Sequence, residues 1–143
     1  MVVSHTDSIS GHHLNLNEFA IRAWLDVCEA GFGWSRYQPF KPTDSAVYVT
    51  GMETEGPPDL AGIIVYNIDE DRRAHIQIGY VLPAYRGQGA YSAMYKYLIE
   101  NVEGRGVNVI ESIIHPDNTP MMSLAQSQSR DIVGYIMRHN LRG

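Results

Sequence analysis

The sequence predicts a single mixed α/β domain with a mostly antiparallel sheet. Three strand-like runs follow one another between residues 46 and 82 with only short turns between them, which is typical of an antiparallel meander. A loop with two glycines, a helical segment and another strand come next, which predicts a crossover connection after the meander. The 143 residues are enough to form one hydrophobic core.

The part before the meander predicts one helix. Residues 1–13 are polar and rich in histidine, so we expect a loose arm, although VVSHT at 2–6 could form a short strand. Over residues 17–30 apolar side chains recur every three to four positions, and Gly31 ends the pattern. The members of this apolar stripe are Phe19, Ala20, Ala23, Trp24, Val27 and Cys28.

The remaining elements follow from apolar periodicity and turn residues. The meander strands are predicted over 46–52, 60–68 and 74–82, with Gly-Pro-Pro at 56–58 marking the first turn. A helix is predicted over 88–102, a strand over 107–115, a short helix over 116–129 and a last strand over 131–141.

The composition excludes several classes of function. Hydrophobic residues make up 44% and charged residues 19% of the chain, as in globular proteins. The net charge of −5 argues against nucleic acid as a partner and mildly favours a cationic substrate. No apolar run approaches the ~20 residues that span a membrane, and no signal peptide pattern is present. Cys28 is alone, which fits a reducing compartment such as the cytoplasm, and no Cys/His spacing predicts a metal site.

The loop after the third meander strand is suited to bind an anion. A helix that begins directly after a strand exposes unpaired backbone amides, and these amides attract negative charge together with the helix dipole. Gly87 and Gly89 permit close approach, and Arg86 can donate charge-assisted hydrogen bonds to a phosphate. The alternative is a tight turn with a solvent-facing arginine, because the motif is short.

With its surroundings, this loop resembles the GNAT superfamily of acetyltransferases. The matching order is the strand IQIGYVLP, the loop AYRGQGA, a long helix and a strand that leads into HPDN. The family motif Gln/Arg-x-x-Gly-x-Gly/Ala holds the pyrophosphate of acetyl-CoA. Arg86 and Gly89 match it, whereas Tyr91 replaces a small residue. The resemblance implies a sheet with helices on both faces and two strands that splay around the cofactor.

The resemblance also implies residues that bind acetyl-CoA. In the family, free backbone groups of the strand before the loop pair with the pantetheine arm, and an Asn after the fifth strand contacts it. The implied set is Gly79, Tyr80, Val81 and Leu82 on the strand, Arg86, Gly87, Gln88, Gly89, Ala90 and Tyr91 in the loop and helix start, and Asn118. Asn118 could equally cap a helix. We expect the Tyr91 ring to pack sideways, near the ribose or on Tyr95.

Acetyl transfer to an amine requires a group that removes a proton from the amine. Some family members use a Glu on the fourth strand, and His75 takes that position here, although it could be a surface histidine at a strand end. Imidazole exchanges protons near neutral pH, which suits this role. Gln77, two residues further on the same predicted face, could hold a water.

The usual acid of the family is absent. A Tyr on the helix after the Asn commonly protonates the leaving thiolate, but Ala125 stands at that position. Ser123, Ser127 and Tyr135 are weaker candidates, and Tyr135 could simply pack on the sheet. Transfer by proximity and water relays does not need such an acid.

Two functions therefore remain open. The first is acetyl-CoA-dependent N-acetylation of a small-molecule or peptide amine. The second is a non-catalytic module that keeps the CoA groove for binding or assembly. Only one strand is predicted after the last helix where the family usually has two, and a second subunit could supply the missing strand in a homodimer.

Overall fold

A five-stranded sheet forms the centre of the molecule, seen in a computed structural model that describes residues 1–35, 37–53 and 59–142. The strands follow the chain order and are antiparallel, except that the last two are parallel. This confirms the predicted mixed, mostly antiparallel sheet. The strands are β1 (Val2–Thr6), β2 (Ser45–Thr50), β3 (Gly62–Ile68), β4 (Arg73–Val81) and β5 (Val109–Ser112).

Helices cover both faces of the sheet, as predicted. The helices are α1 (Leu16–Glu29), α2 (Ala90–Glu103) and α3 (Thr119–Ser127), and a short 3-10 helix (Pro83–Tyr85) precedes α2. The apolar stripe of α1 buries Leu16 and Trp24 in a core on one face, and α2 buries Met94 and Leu98 in a core on the other. The spacing of three to four residues places these side chains on one side of each helix.

A β-bulge in β4 changes which face its side chains meet. Val65 of β3 lies opposite Ile78, but its neighbour Tyr66 lies opposite Ile76, so Gln77 is an extra residue on β4. Ile76 accordingly packs in the core beneath α2, and Ile78 packs in the core beneath α1. If side chains alternated regularly along β4, His75 and Gln77 would share one face of the sheet. The bulge at Gln77 interrupts this alternation.

The two parallel strands separate partway along β4. Pairing between β4 and β5 runs from Arg73 with Val109 to Ile76 with Ser112, whereas β4 continues to Val81. The implied splay is thus present. We call the point beyond Ile76 and Ser112 the fork. The edge of β4 beyond the fork is open to a ligand.

The two ends of the chain differ from the sequence predictions in opposite directions. Residues 2–6 form β1, so the strand alternative holds rather than a loose arm. The strand predicted over 131–141 is wrong: residues 131–140 contain no strand and are exposed. Alternating apolar residues create a tendency to extend, but a strand also needs a partner edge. The Gly-Pro-Pro turn at 56–58 lies outside the described residues.

Within the described residues, no helix combines the length and the apolar character that crossing a membrane would need.

Candidate active site

A groove of about 510 Å³ opens along the free edge of β4. Its walls come from α1, β4, the loop before α2 and the start of α3. Nine of the predicted cofactor residues line it: Gly79, Tyr80, Val81, Arg86, Gly87, Gly89, Ala90, Tyr91 and Asn118. Leu82 and Gln88 do not line it. Leu82 packs against the core beneath α1, and the Gln88 side chain donates to the carbonyl of Ala84 (3.3 Å).

The loop before α2 presents a run of unpaired backbone amides. Among the described residues, no amide from 87 to 92 donates a hydrogen bond within the chain, and the first that does is Ala93, to the Gly89 carbonyl (3.0 Å). Gly87 and Gly89 have φ of 76° and 82°, a region that glycine adopts without strain. These amides stand at the positive end of α2, so the loop can hold a phosphate.

Arg86 is held over the groove wall by two contacts. Its Nε donates to the carbonyl of Val81 (2.8 Å), and its guanidinium carbon lies 5.4 Å from the ring centre of Tyr80. The side chain is exposed and uses one of its donors within the described chain, so further donors remain for an anion.

The backbone of β4 divides its groups between β3 and the open edge. The amide of Leu82 donates to the carbonyl of Ala61, which leads into β3 (2.8 Å). Because successive residues of a strand point their hydrogen-bonding groups to opposite sides, those of Gly79 and Val81 face the open edge. An amide-bearing chain can therefore pair with Gly79 and Val81 as an added strand would.

The Tyr91 ring packs sideways, as expected from the sequence. It stacks on Tyr95, with 6.4 Å between ring centres and 13° between planes. It also packs against Gly79 of β4. Burial raises the pKa of the Tyr91 hydroxyl, and the nearby Arg130 guanidinium opposes this rise.

Asn118 caps a helix, which is one of its two predicted roles, and it also lies at the groove. Its Oδ1 accepts from the amide of Met121 (3.3 Å) at the N-terminus of α3, and its side chain also lines the groove. Capping fixes the side chain, which leaves its amide group available to a ligand.

A smaller cavity of about 60 Å³ adjoins the groove at the fork. Gly79, Tyr91 and Asn118 line both spaces. Trp24, Phe32 and Trp34 form an aromatic wall, and Gln77 and His115 add polar groups. The Nδ1 of His115 accepts from the amide of Asp117 (3.1 Å), so a neutral His115 carries its proton on Nε2.

The remaining catalytic candidates lie outside both cavities. His75 Nε2 bonds Asp69 Oδ2 (2.7 Å) in a charged cluster at the start of β4, and Arg73 and Glu111 belong to the same cluster. Tyr135 is 83% exposed in the irregular C-terminal segment, because the strand that would have placed it does not form. Ser127 donates to the carbonyl of Leu124 (2.6 Å).

Sequence reasoning missed Asp26. The Tyr80 hydroxyl donates to Asp26 Oδ2 (2.5 Å), and both residues line the groove. Burial and this carboxylate raise the pKa of Tyr80 to about 12. The sequence did offer one indication of this residue, namely an acidic side chain next to Val27 of the apolar stripe of α1.

The chain is similar to known proteins in its sequence family and in its fold. A family model described as acetyltransferase (GNAT) family matches residues 15–129. Among solved structures, an aminoglycoside acetyltransferase, meta-AAC0020, from an uncultured soil metagenomic sample, in complex with sisomicin, has a TM-score of 0.71 at 11% identity, covering 99% of this chain and 96% of that chain. AAC(6')-Iy in complex with a bisubstrate analog, CoA-S-monomethyl-acetylneamine, has a TM-score of 0.67 at 11% identity, with 100% of both chains covered.

A ribosomal-protein-alanine N-acetyltransferase from Brucella melitensis biovar Abortus 2308 has a TM-score of 0.66 at 16% identity, covering 97% of this chain and 100% of that chain. At such identities the likeness shows a shared fold. No curated protein matches the chain.

Proposed function

Because the chain belongs to the acetyltransferase (GNAT) family, we propose that it transfers the acetyl group of acetyl-CoA directly to a primary amine. The main support for this proposal is that two features able to bind a ligand lie next to each other along the groove. The free edge of β4 leads straight into the unpaired amides of residues 87–92. A ligand with an amide-bearing arm and a pyrophosphate fits this pair of features.

Each part of the groove then has a role. The backbone of residues 86–91 binds the pyrophosphate, and Arg86 adds a charge-assisted contact. The outward backbone groups of Gly79 and the amide of Val81 pair with the pantetheine arm, and Asn118 orients it. AAC(6')-Iy, which shares the fold, was solved with a CoA-linked bisubstrate analog.

The amine acceptor, a small molecule or a peptide, enters through the smaller cavity. Its aromatic wall excludes water and positions the amine. The proton leaves the amine through a water held near Gln77, because His75 lies outside the cavity and Gln77 lines it.

Calorimetry with acetyl-CoA tests the proposal. We expect binding to the wild-type protein and a loss of at least about tenfold in affinity for Arg86→Glu, since charge reversal repels the phosphates. The matched control is Arg22→Glu, because Arg22 is exposed on α1 away from the groove. Absence of binding, or equal losses in both variants, would disprove the proposed cofactor site.

One observation favours the second candidate, a module that binds CoA without catalysis. Ala125, at the position of the usual acid, is buried and carries no hydroxyl. Release of free thiol from acetyl-CoA with a panel of amines separates the two functions. Turnover above the rate without protein supports the enzyme, and tight binding without turnover supports the module.

We also propose that the protein forms a homodimer. The tail, residues 131–141, exposes several large apolar side chains, among them Val133 (88%) and Met137 (89%). The outer edge of β5 has no partner strand among the described residues. One chain thus carries both a strand-like segment and an open edge, so two copies could exchange tails symmetrically.

Light scattering of the purified protein tests this assembly. We expect a dimer mass that falls to the monomer mass in a Val133→Lys, Met137→Lys double variant. Leu25→Lys, on the exposed side of α1, is the control for an added charge on an apolar surface. A wild-type monomer at all concentrations would contradict the dimer.

A further inference from the structure

The hydroxyl of Tyr91 and the guanidinium of Arg130 stand together at the fork. Both residues line the smaller cavity. The Arg130 guanidinium donates to the Ser112 hydroxyl, and Ser112 is the last β5 residue paired with β4. A positive charge therefore lies where the two strands separate.

This positive charge has no salt-bridge partner among the described residues. The guanidinium lies over the Tyr95 ring, 5.4 Å from its centre, and the residue is partly buried. Within the described part of the chain, Arg130 forms no salt bridge and no carboxylate lines the smaller cavity. A partly buried cation without a counter-charge stabilises an anion that forms beside it.

Tyr91 supplies a hydrogen-bond donor at the same place. Its ring is fixed between Gly79 and Tyr95, and burial keeps the hydroxyl protonated by raising its pKa. The other titratable groups that face this cavity are Arg130 and His115. A fixed, neutral phenol donates readily to a developing negative charge.

We propose that Tyr91 and Arg130 form a site that stabilises the thiolate of coenzyme A as the acetyl group leaves. This inference rests on the proposed function. A pantetheine arm paired with Val81 and then Gly79, with its pyrophosphate at residues 87–92, carries its sulfur towards the fork. In this assignment Tyr91 of α2 donates the hydrogen bond to the sulfur. The enzyme therefore does not need a hydroxyl group at Ala125 of α3.

The step balances without any further reactant. The amine nitrogen forms a bond to the acetyl carbon, the carbon–sulfur bond breaks, and its electron pair stays on sulfur. The amine loses one proton to water, and the sulfur gains one proton. Tyr91 donates a hydrogen bond to the sulfur and keeps its own proton, and Arg130 stabilises the negative charge. The thiolate then takes its proton from water as coenzyme A is released.

The test uses free coenzyme A and needs no acceptor. The ultraviolet absorbance of the thiolate is followed against pH for coenzyme A bound to the protein and for coenzyme A alone in the same buffer. We expect the apparent pKa of the bound thiol to be lower by about 1–3 units, the usual effect of a close opposite charge. Arg130→Gln removes most of that shift, and Tyr91→Phe removes part of it while keeping the ring in place.

Two matched controls accompany these variants. Arg138→Gln removes a tail arginine that donates to the Trp34 carbonyl (2.7 Å) and lines neither cavity. Tyr95→Phe removes the hydroxyl of the stacked partner. Both should keep the wild-type shift.

The outcomes separate this inference from the proposed function. Calorimetry first shows whether coenzyme A binds, and no binding overturns both. Binding with a thiol that titrates as in free coenzyme A leaves the proposed function standing and overturns the thiolate site. Retention of the full shift in both Arg130→Gln and Tyr91→Phe overturns it as well.

Discussion

The ring of Tyr91 fills the space that a side chain at residue 79 would occupy. A Cβ on Gly79 would lie 2.7 Å from a ring carbon of Tyr91 and 3.1 Å from its hydroxyl oxygen. The large residue at the helix start and the glycine in β4 are thus complementary. This complementarity explains how Tyr91 stands where the family motif has a small residue and still leaves the amides of the loop free.

Gly79→Ala should therefore destabilise the protein. The added methyl group collides with a ring held between β4 and Tyr95, and overpacking of this kind costs about 1–3 kcal/mol. Chemical denaturation measures the change in the free energy of unfolding. The double variant Gly79→Ala, Tyr91→Ala should lose less than the sum of the two single variants, because the collision is absent.

Gly134→Ala is the matched control for that substitution. No atom lies within 4 Å of a Cβ built on Gly134, so its effect should stay within about 0.5 kcal/mol. Additive losses in the double variant would show that the two residues are not coupled.

Gly89→Ala should weaken both stability and cofactor binding. Gly89 has φ of 82°, and a left-handed conformation costs other residues about 1–2 kcal/mol. The methyl group also stands among the amides that we propose to hold the pyrophosphate. We expect a tenfold or greater loss of acetyl-CoA affinity by calorimetry, corresponding to about 1.4 kcal/mol.

Gly106→Ala separates strain from binding. Gly106 has φ of 79° and, like Gly89, no atom within 4 Å of a built Cβ, but it lies after α2 and away from the groove. Gly106→Ala should lower the free energy of unfolding about as much as Gly89→Ala does, but its affinity for acetyl-CoA should not change. Equal losses of affinity in both variants would mean that the effect of Gly89→Ala is only global strain.

The sequence allows prediction of features that depend on neighbouring residues. The helical stripes of α1 and α2 follow from apolar spacing alone. The loop that exposes its backbone amides follows from Arg86, Gly87 and Gly89 between a strand and a helix. The cap formed by Asn118 could also be predicted, because its partner lies only three residues away in the sequence.

Features that depend on tertiary register could not be predicted in this way. The bulge at Gln77 shifts β4 against β3, so counting by alternation misplaced His75 relative to the groove. Asp26 meets Tyr80 across 54 residues, a contact that no local pattern reports. The tail has the composition of a strand, but pairing depends on an available edge.

Asp26→Asn should lower the pKa of Tyr80 from about 12 towards its ordinary value of 10.0, because the carboxylate disfavours the phenolate. A raised folded-state pKa contributes stability that is present below pH 10 and is lost as the pH rises towards 12. The alkaline fall in stability should therefore be smaller in the variant, as measured by denaturation at several pH values. Asp131→Asn, in the exposed tail, is the control. An identical alkaline fall in Asp26→Asn and wild type would contradict the coupling.

Asp69 should control the response to acid. Its hydrogen bond with His75, followed by backbone hydrogen bonds at Arg73 and Asp71, lowers the pKa of Asp69 from 3.8 to about 2. A lowered folded-state pKa contributes stability that is present above pH 3.8 and is lost as the pH falls towards 2. Asp69→Asn should thus reduce the difference in melting temperature between these two pH values, whereas Asp131→Asn should keep it. An unchanged difference in Asp69→Asn would mean that the carboxylate does not drive acid unfolding.

His75→Ala tests whether this cluster is structural or catalytic. His75 bonds Asp69 outside both cavities, so its removal should lower the melting temperature and leave acetyl-CoA affinity unchanged. Turnover with any amine accepted by the wild type should fall by less than about tenfold, whereas loss of a general base costs about 10²–10⁴. Gln77→Ala is the comparison, since Gln77 lines the smaller cavity and should lose more turnover than His75→Ala at a similar melting temperature. A hundredfold loss in His75→Ala, with an unchanged melting temperature, would restore His75 as the base.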